Sequence, residues 1–399
     1  MMKICFVVQR YGEEVNGGAE AYARQVAEHM VSLSGHEVEC ATTCAVDYMT
    51  WKNEYPAGDF ELNGVTVHRF PNRRQRDPEK FSKLCGKVLS NPGGDKKEQE
   101  DWMRDQGPEC PELVSWVRSK HDDFDCFIFV CYLYYTTYFA LPEVADKAIF
   151  IPTAHEEAPI HLNIFKDMFD LPAGFYYNTV EEKYLTQKLF PSSKEKPDND
   201  GKGGVGVEVP ENVDPEAFRE KFGIKGDFML YVGRIDENKC CPELFTYFEE
   251  YKKRDPDSDL KLVLMGKEVI KVPKRDDIIS LGFVSEEDKF SGIKAATFFI
   301  LPSKFESLSI VVLESMKMGI PCLVSGECDV LKGHCLRSNA GLYYSGYYEF
   351  EGCVKYLLSN PGIREKMGEN GISYVDRDYT WPELVKGYEE LIRKVTGIS

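Results

Sequence analysis

The sequence predicts an α/β protein of two successive parallel-sheet units that face a central cleft. Three observations carry this. Short β-rich apolar runs alternate with helical patterns, the arrangement of strands joined by crossover helices. The alternation breaks once, at the Gly/Lys/Asp stretch 192–206, and then restarts. The length of 399 residues also exceeds the ~250–300 residues at which single cores stop growing.

Residues 3–9 form the first β-rich run, ended by a loop with Gly12, Gly17 and Gly18. Residues 19–33 read as a helix with Val26, Met30 and Leu33 on one side. Strands follow at 36–43 and 65–70, and 98–119 reads as helical. The longest apolar stretch, 124–144, contains Tyr132, Tyr134, Tyr135, Tyr138 and Pro142. A membrane span needs about 20 mostly apolar residues, so this stretch reads as a buried strand and an aromatic-rich helix. Short apolar strands lie at 125–131, 148–152 and 175–178. Beyond the break, strands at 228–232, 261–265, 278–281, 298–301 and 321–324 alternate with helices at 242–253, 286–295 and 309–317. A last helix spans about 382–394. In open parallel sheets ligands bind beyond the carboxyl ends of strands, so a cleft between the units is the expected site.

The net charge is −17, from 49 Lys+Arg against 66 Asp+Glu. This disfavours nucleic acid or an anionic membrane as a partner held by bulk charge. The 13 cysteines show no CxxC or zinc-type spacing. Several (Cys5, Cys126, Cys131) sit in strand-like runs as small hydrophobes. Together with a start that lacks a small-residue cleavage site, they predict a reducing, cytoplasmic setting.

Four features could carry chemistry. The turn at Gly17-Gly18 leads into a helix; glycines let backbone approach a ligand and helix N-terminal amides favour an anion. The same turn could simply need positive φ. Second, Gly233-Arg234-Ile235-Asp236-Glu237-Asn238-Lys239 follows the strand 228–232. Arg as a fork and Lys as a point charge can hold a diphosphate there, or the two are solvated surface charges. Third, Glu306-Ser307-Leu308-Ser309 precedes a helix that carries Glu314. The two carboxylates can accept from separate parts of a polyol, and amides at the helix start can bind oxygens; the plainer reading is capping by Ser309. Fourth, His155 follows the strand 148–152, a better placed histidine than the other six.

These features occur together and in order, and with them the chain resembles a family-4 glycosyltransferase of the two-Rossmann-domain (GT-B) type. The Gly233-Arg234…Lys239 loop and the Glu306…Glu314 pair carry the resemblance most strongly. Leu281-Gly282-Phe283-Val284-Ser285, the 319–324 turn and strand, and Gly17-Gly18 support it. It covers essentially the whole chain and is strongest in the second half.

The resemblance implies transfer of a sugar from a nucleotide diphosphate sugar, UDP- or GDP-linked, with retention at the anomeric carbon. Arg234 and Lys239 would hold the diphosphate and offset charge on the leaving group. Glu314 would accept from the ribose, and Glu306 would face the sugar hydroxyls near the Ser307, Leu308 and Ser309 amides. The loop with Val284 would border the base. His155 would contact the donor sugar, while Gly17 and Gly18 would approach the phosphate or the acceptor. It further implies an acceptor domain at 1–200 and a donor domain at 207–378. The segment 379–399 would cross back onto the first, and the two domains would close on the donor. The acceptor would be a glycan, a lipid-linked glycan or a small-molecule hydroxyl.

The chain departs from the family in three places. Ser307-Leu308-Ser309 replaces a frequent Gly-Phe-Gly, which bears on the donor sugar. Asn212 stands where a Gly is common, and Asn tolerates the left-handed conformation. Residues 325–330 replace a glycine-rich run. Asp198-Asn199-Asp200 spells the DxD of metal-dependent transferases but lies in the expected linker; the Arg/Lys pair makes a metal unnecessary, and none is expected. Arg73-Arg74-Gln75-Arg76, followed by Asp77 and Glu79, is the candidate membrane-contact patch and reads as a solvated loop. Membrane contact is expected to be at most peripheral. A sugar-nucleotide epimerase, a phosphorylase on the same scaffold, and a non-catalytic nucleotide-sugar-binding subunit are the competing readings.

Overall fold

The structure is a computed structural model that describes residues 1–15 and 17–398. It divides into two compact units, Met1–Val205 with the segment from Trp381 onward, and Gly206–Thr380. No helix among the described residues is long and apolar enough to cross a membrane.

The first unit starts with β1 (Lys3–Val7), α1 (Gly18–Ser34), β2 (Glu37–Thr43), β3 (Gly58–Leu62) and β4 (Val65–Phe70). Next come α2 (Pro78–Leu89), α3 (Lys96–Gln106), α4 (Pro111–Ser119), β5 (Cys126–Val130), α5 (Tyr135–Ala140) and β6 (Ala148–Ile151). α6 (Asn163–Asp170), β7 (Gly174–Phe175) and α7 (Val180–Leu189) follow. The sheet order is β3-β4-β2-β1-β5-β6-β7, parallel but for the β3–β4 hairpin at one edge. Residues 126–130 are all buried, because a parallel strand is covered on both faces.

Three local readings change. The expected helix 98–119 is two helices: Gly107, at φ +68°, closes α3, and prolines at 108 and 111 stop one helix and start the next. β3 carries no strong apolar pattern because it is a mostly exposed edge strand. The 192–206 stretch is not a free linker. Asp198 bridges to Phe175 in parallel register. The Asn199 side chain accepts from the Tyr177 N–H (2.8 Å) and donates to the Tyr177 carbonyl (2.9 Å). Gly/Asp-rich composition records backbone freedom, not the partners that remove it.

The second unit contains α8 (Pro215–Phe222), β8 (Phe228–Val232), α9 (Cys241–Arg254), β9 (Lys261–Met265), β10 (Ile278–Ser280) and α10 (Glu286–Ala295). β11 (Phe298–Leu301), α11 (Ile310–Lys317), β12 (Cys322–Ser325), α12 (Asp329–Ser338), β13 (Gly341–Tyr344), α13 (Tyr347–Ser359) and α14 (Pro361–Asp378) follow. All pairs in its sheet, β10-β9-β8-β11-β12-β13, are parallel. The strand order reverses between β8 and β11, so the loops leaving those two strands flank the switch point where such sheets take ligands. Gly266 lets the loops beyond β8 and β9 touch: a Cβ there would lie 1.9 Å from the Gly233 carbonyl oxygen.

The last helix, α15 (Trp381–Thr396), belongs to the first unit. Its apolar face includes Trp381, Leu384, Tyr388 and Ile392. Tyr388 stacks on Tyr176 at 3.7 Å and its hydroxyl meets that of Tyr22. Trp381 stacks on His29 at 3.8 Å.

Candidate active site

In the second unit, the loop after β8 is pinned on both sides. The Gly233 and Ile235 N–H groups donate to the Met265 and Lys267 carbonyls (2.9 and 3.0 Å), and the Tyr231 hydroxyl donates to the Arg234 carbonyl (2.7 Å). Asp236, 6% exposed, organises its two cations. One carboxylate oxygen pairs with Arg234 Nε; the other accepts the Lys239 N–H at 2.8 Å.

Lys239 Nζ then lies 2.6 Å from Glu306 Oε1, joining the loops that leave β8 and β11. Ser309 sits at φ +65° ahead of α11 and makes no side-chain cap. Its buried Oγ has no partner among the described residues, so capping does not explain this residue. The Leu308 carbonyl faces His334 Nε2 at 2.8 Å. Glu314, inside α11, pairs with Lys289 Nζ at 2.9 Å. Burial raises the Glu314 pKa. Burial also works against the Lys289 charge, but Glu314 and Glu286 outweigh it and leave that pKa above the usual lysine value.

The loop after β10 is tied to that after β9 by the Gly266 N–H, which donates to the Gly282 carbonyl at 2.7 Å. Val284 is half-buried and its neighbour Phe283 is 77% exposed. These loops bring Arg234, Lys239 and Glu306 together.

In the first unit, Gly17 is extended (φ −154°) rather than at positive φ. Its need for glycine is room: a Cβ would lie 2.2 Å from Glu20 Oε2 and 2.9 Å from Arg10. Glu20 and Arg10 form a buried ion pair at 2.5 Å. Gly18 opens α1 with space around it.

His155 Nδ1 is 3.5 Å from Glu157 Oε1, which accepts the Tyr132 hydroxyl at 2.5 Å. The turn that carries His155 is tied to Glu182, whose carboxylate accepts the Ala154 and Asn178 N–H groups at 2.7 and 2.6 Å. Asp198 and Asp200 both pair with Lys183 (2.8 and 3.0 Å). No group of three or more His, Cys, Asp or Glu side chains among the described residues could hold a metal ion.

Sequence reasoning missed Asp236, Lys289, Glu182 and His334. Asp236 had a signal, an acid two residues from Arg234 in the same loop. Glu182 had one too, closing a Thr179-x-x-Glu182 capping pattern four residues after Asn178; Lys289 and His334 meet their partners only through the fold.

Residues 214–374 match the family model described as glycosyl transferases group 1. An uncharacterised glycosyltransferase of Methanocaldococcus jannaschii, MJ1607, is 24% identical over 96% of both chains. The alpha-D-kanosaminyltransferase of Streptomyces kanamyceticus is 30% identical over 38% of this chain and 42% of its own. Among solved structures, the sucrose-phosphate synthase of Thermosynechococcus elongatus aligns over 100% of both chains with a TM-score of 0.73 at 15% identity. HepE of Anabaena, solved with UDP and glucose, aligns over 99% of this chain and 100% of its own, with a TM-score of 0.70 at 13% identity.

The chain is therefore a glycosyltransferase of the GT-B class. The group 1 family match falls within the unit that holds Arg234, Lys239, Glu306 and Glu314.

Proposed function

We propose that the protein is a retaining glycosyltransferase of the family-4 type that takes its sugar from a nucleotide diphosphate sugar, UDP- or GDP-linked. The observation that carries the reading is the Lys239–Glu306 contact of 2.6 Å, with Arg234 fixed by Asp236 beside it, where the strand order reverses.

Cleaving a glycosyl phosphate places growing negative charge on the diphosphate. Arg234 offers a planar fork and Lys239 a point charge, both already oriented, so little reorganisation is needed as charge develops. In this reading the two cations do what a divalent metal would do elsewhere. Without donor, Lys239 is neutralised by Glu306. Donor binding shifts Lys239 toward phosphate and leaves Glu306 as an acceptor for sugar hydroxyls. Glu314, already ion-paired to Lys289, accepts from the ribose. The loop at Gly282 and Val284 borders the base, with Gly233 and the Ser307–Leu308–Ser309 backbone close to the phosphates and sugar. His155 contacts the donor sugar, and Gly17 and Gly18 lie toward the phosphate or the acceptor. The acceptor is a hydroxyl of a glycan, a lipid-linked glycan or a small molecule. We place the reaction in the cytoplasm, with at most peripheral membrane contact.

The test is nucleotide release from UDP- and GDP-sugars with and without EDTA, with the anomer of any product read by NMR coupling. Acceptor-dependent release that survives EDTA, keeps the anomeric configuration and is lost in Arg234→Ala/Lys239→Ala supports the reading. Release that needs a metal, an inverted product, or an epimerised donor without acceptor contradicts it.

A further inference from the structure

In the first unit the fold assembles a cation cluster that the sequence shows only in part. Arg73, Arg74 and Arg76 follow β4, and the end of α3 brings Arg104 beside them. Glu109, its side chain 8% exposed, lies 2.7 Å from Arg74 Nε, 3.8 Å from Arg73 and 4.0 Å from Arg104. Arg74 also meets Asp105 at 2.7 Å. Three guanidiniums thus share two carboxylates, and Arg76, bonded to the Gln106 carbonyl, adds a fourth charge beside them. The nearby Asp77 turns its carboxylate onto the first turn of α2 and Lys80.

Arg76 donates to the Met49, Gln106 and Tyr48 carbonyls, which do not cancel its charge. It is stacked over Trp51 and Phe81 at 5.3 and 4.5 Å. Arg104 lies over Phe139 at 4.6 Å. Arg73 and Arg104, 71% and 38% exposed, stand beyond hydrogen-bond distance from Glu109. Rings and carbonyls have already fixed Arg76 and placed Arg104, so a ligand need not order them. In a chain of net charge −17, this local positive excess runs against the average.

The cluster sits at the carboxyl edge of the sheet, beyond β4. The Tyr135 N–H donates to the Gly107 carbonyl at 2.9 Å, tying the cluster's turn to the loop beyond β5. Open parallel sheets take ligands along this edge, and the His155 loop leaves the same edge.

We propose that Arg73 and Arg104, with Arg74 and Arg76 as fixed charges, form a subsite for a phosphate group carried by the acceptor. This rests on the first unit being the acceptor side. Arginine forks match phosphate oxygens in pairs, and the phosphate is bound, not transferred.

The test titrates inorganic phosphate into the full chain and follows its melting temperature. The variants are Arg73→Ala/Arg104→Ala, the single Arg73→Ala in case the double does not fold, and Arg234→Ala/Lys239→Ala. Phosphate should stabilise the wild type and the Arg234/Lys239 variant alike. The concentration needed should rise at least about tenfold without the Arg73 and Arg104 forks, the scale of a lost charge-assisted hydrogen bond. An unchanged response in the Arg73 variants, or one lost only with Arg234 and Lys239, overturns the proposal.

Two arms separate the sources. Glucose 6-phosphate binding that needs Arg73 points to a soluble phosphate ester. Binding to phosphatidylcholine vesicles only when they contain phosphatidic acid, and only with Arg73 present, points to a lipid phosphate. Failure in both arms overturns an acceptor role. Nucleotide binding should persist in the Arg73 variants; if the wild type binds no nucleotide, the donor reading fails separately.

Discussion

Asp236 and Glu182 are both buried acids with different partners. Asp236 faces Arg234 and one backbone N–H, so its charge is balanced where it sits. Glu182 is held by backbone N–H groups, and burial pushes its pKa up to about 8 despite them. Folded Glu182 therefore keeps its proton to higher pH than an unfolded glutamate. The stability it contributes is complete below the ordinary value of 4.5 and is lost as pH rises through about 8. Glu182→Gln removes this titration. Between about pH 5 and pH 9 the variant should gain up to about 4 kcal/mol relative to wild type, from ~1.4 kcal/mol per pH unit. Urea unfolding at both pH values checks this; a constant gap between the two proteins would contradict it.

At the scale of elements, α12 steadies the loop ahead of α11. His334 is fully buried. A carbonyl can only accept, so His334 Nε2 donates to Leu308 and Nδ1 accepts from the Tyr374 hydroxyl at 3.0 Å. Burial, with Arg337 nearby, lowers its pKa to about 3, so it stays neutral at working pH. His334→Leu leaves the Leu308 carbonyl without its donor, at a cost of roughly 1–3 kcal/mol. We expect a lower melting temperature and a raised donor KM, with His334→Gln recovering part of both. An unchanged KM in a stably folded His334→Leu would contradict this positioning.

The same elements show what the sequence could reveal. Gly233-Arg234…Lys239 and Glu306 directly follow apolar strands, so their places in loops were legible locally. Lys289 and His334 meet Glu314 and Leu308 from 25 and 26 residues away, through contacts set by helix packing. Arg104 joins Arg73 and Arg74 only because α3 ends against the loop beyond β4. Residues 325–330, which stand in place of a glycine-rich run, are divided between the end of β12 at Ser325 and the start of α12 at Asp329.

At the scale of the whole molecule, two parallel sheets each carry their candidate residues beyond the carboxyl ends of strands. That much follows from alternating apolar runs, because a parallel sheet leaves few other connections. In the second unit the charges are matched before any ligand arrives: Arg234 with Asp236, Lys239 with Glu306, Lys289 with Glu314, and Lys304 with Glu243 and Glu327. A nucleotide donor must compete with these pairs, so its binding should depend on the cations one by one. The most direct measurement is the melting temperature of the full chain with UDP, GDP and ADP and their common sugar conjugates, with and without EDTA. One nucleotide should stabilise the wild type, by about 2.7 kcal/mol at 100 times its dissociation constant. The effect should be independent of EDTA and lost in Arg234→Ala and Glu314→Ala. No shift with any nucleotide at millimolar concentration, or a shift that both variants retain, would contradict it.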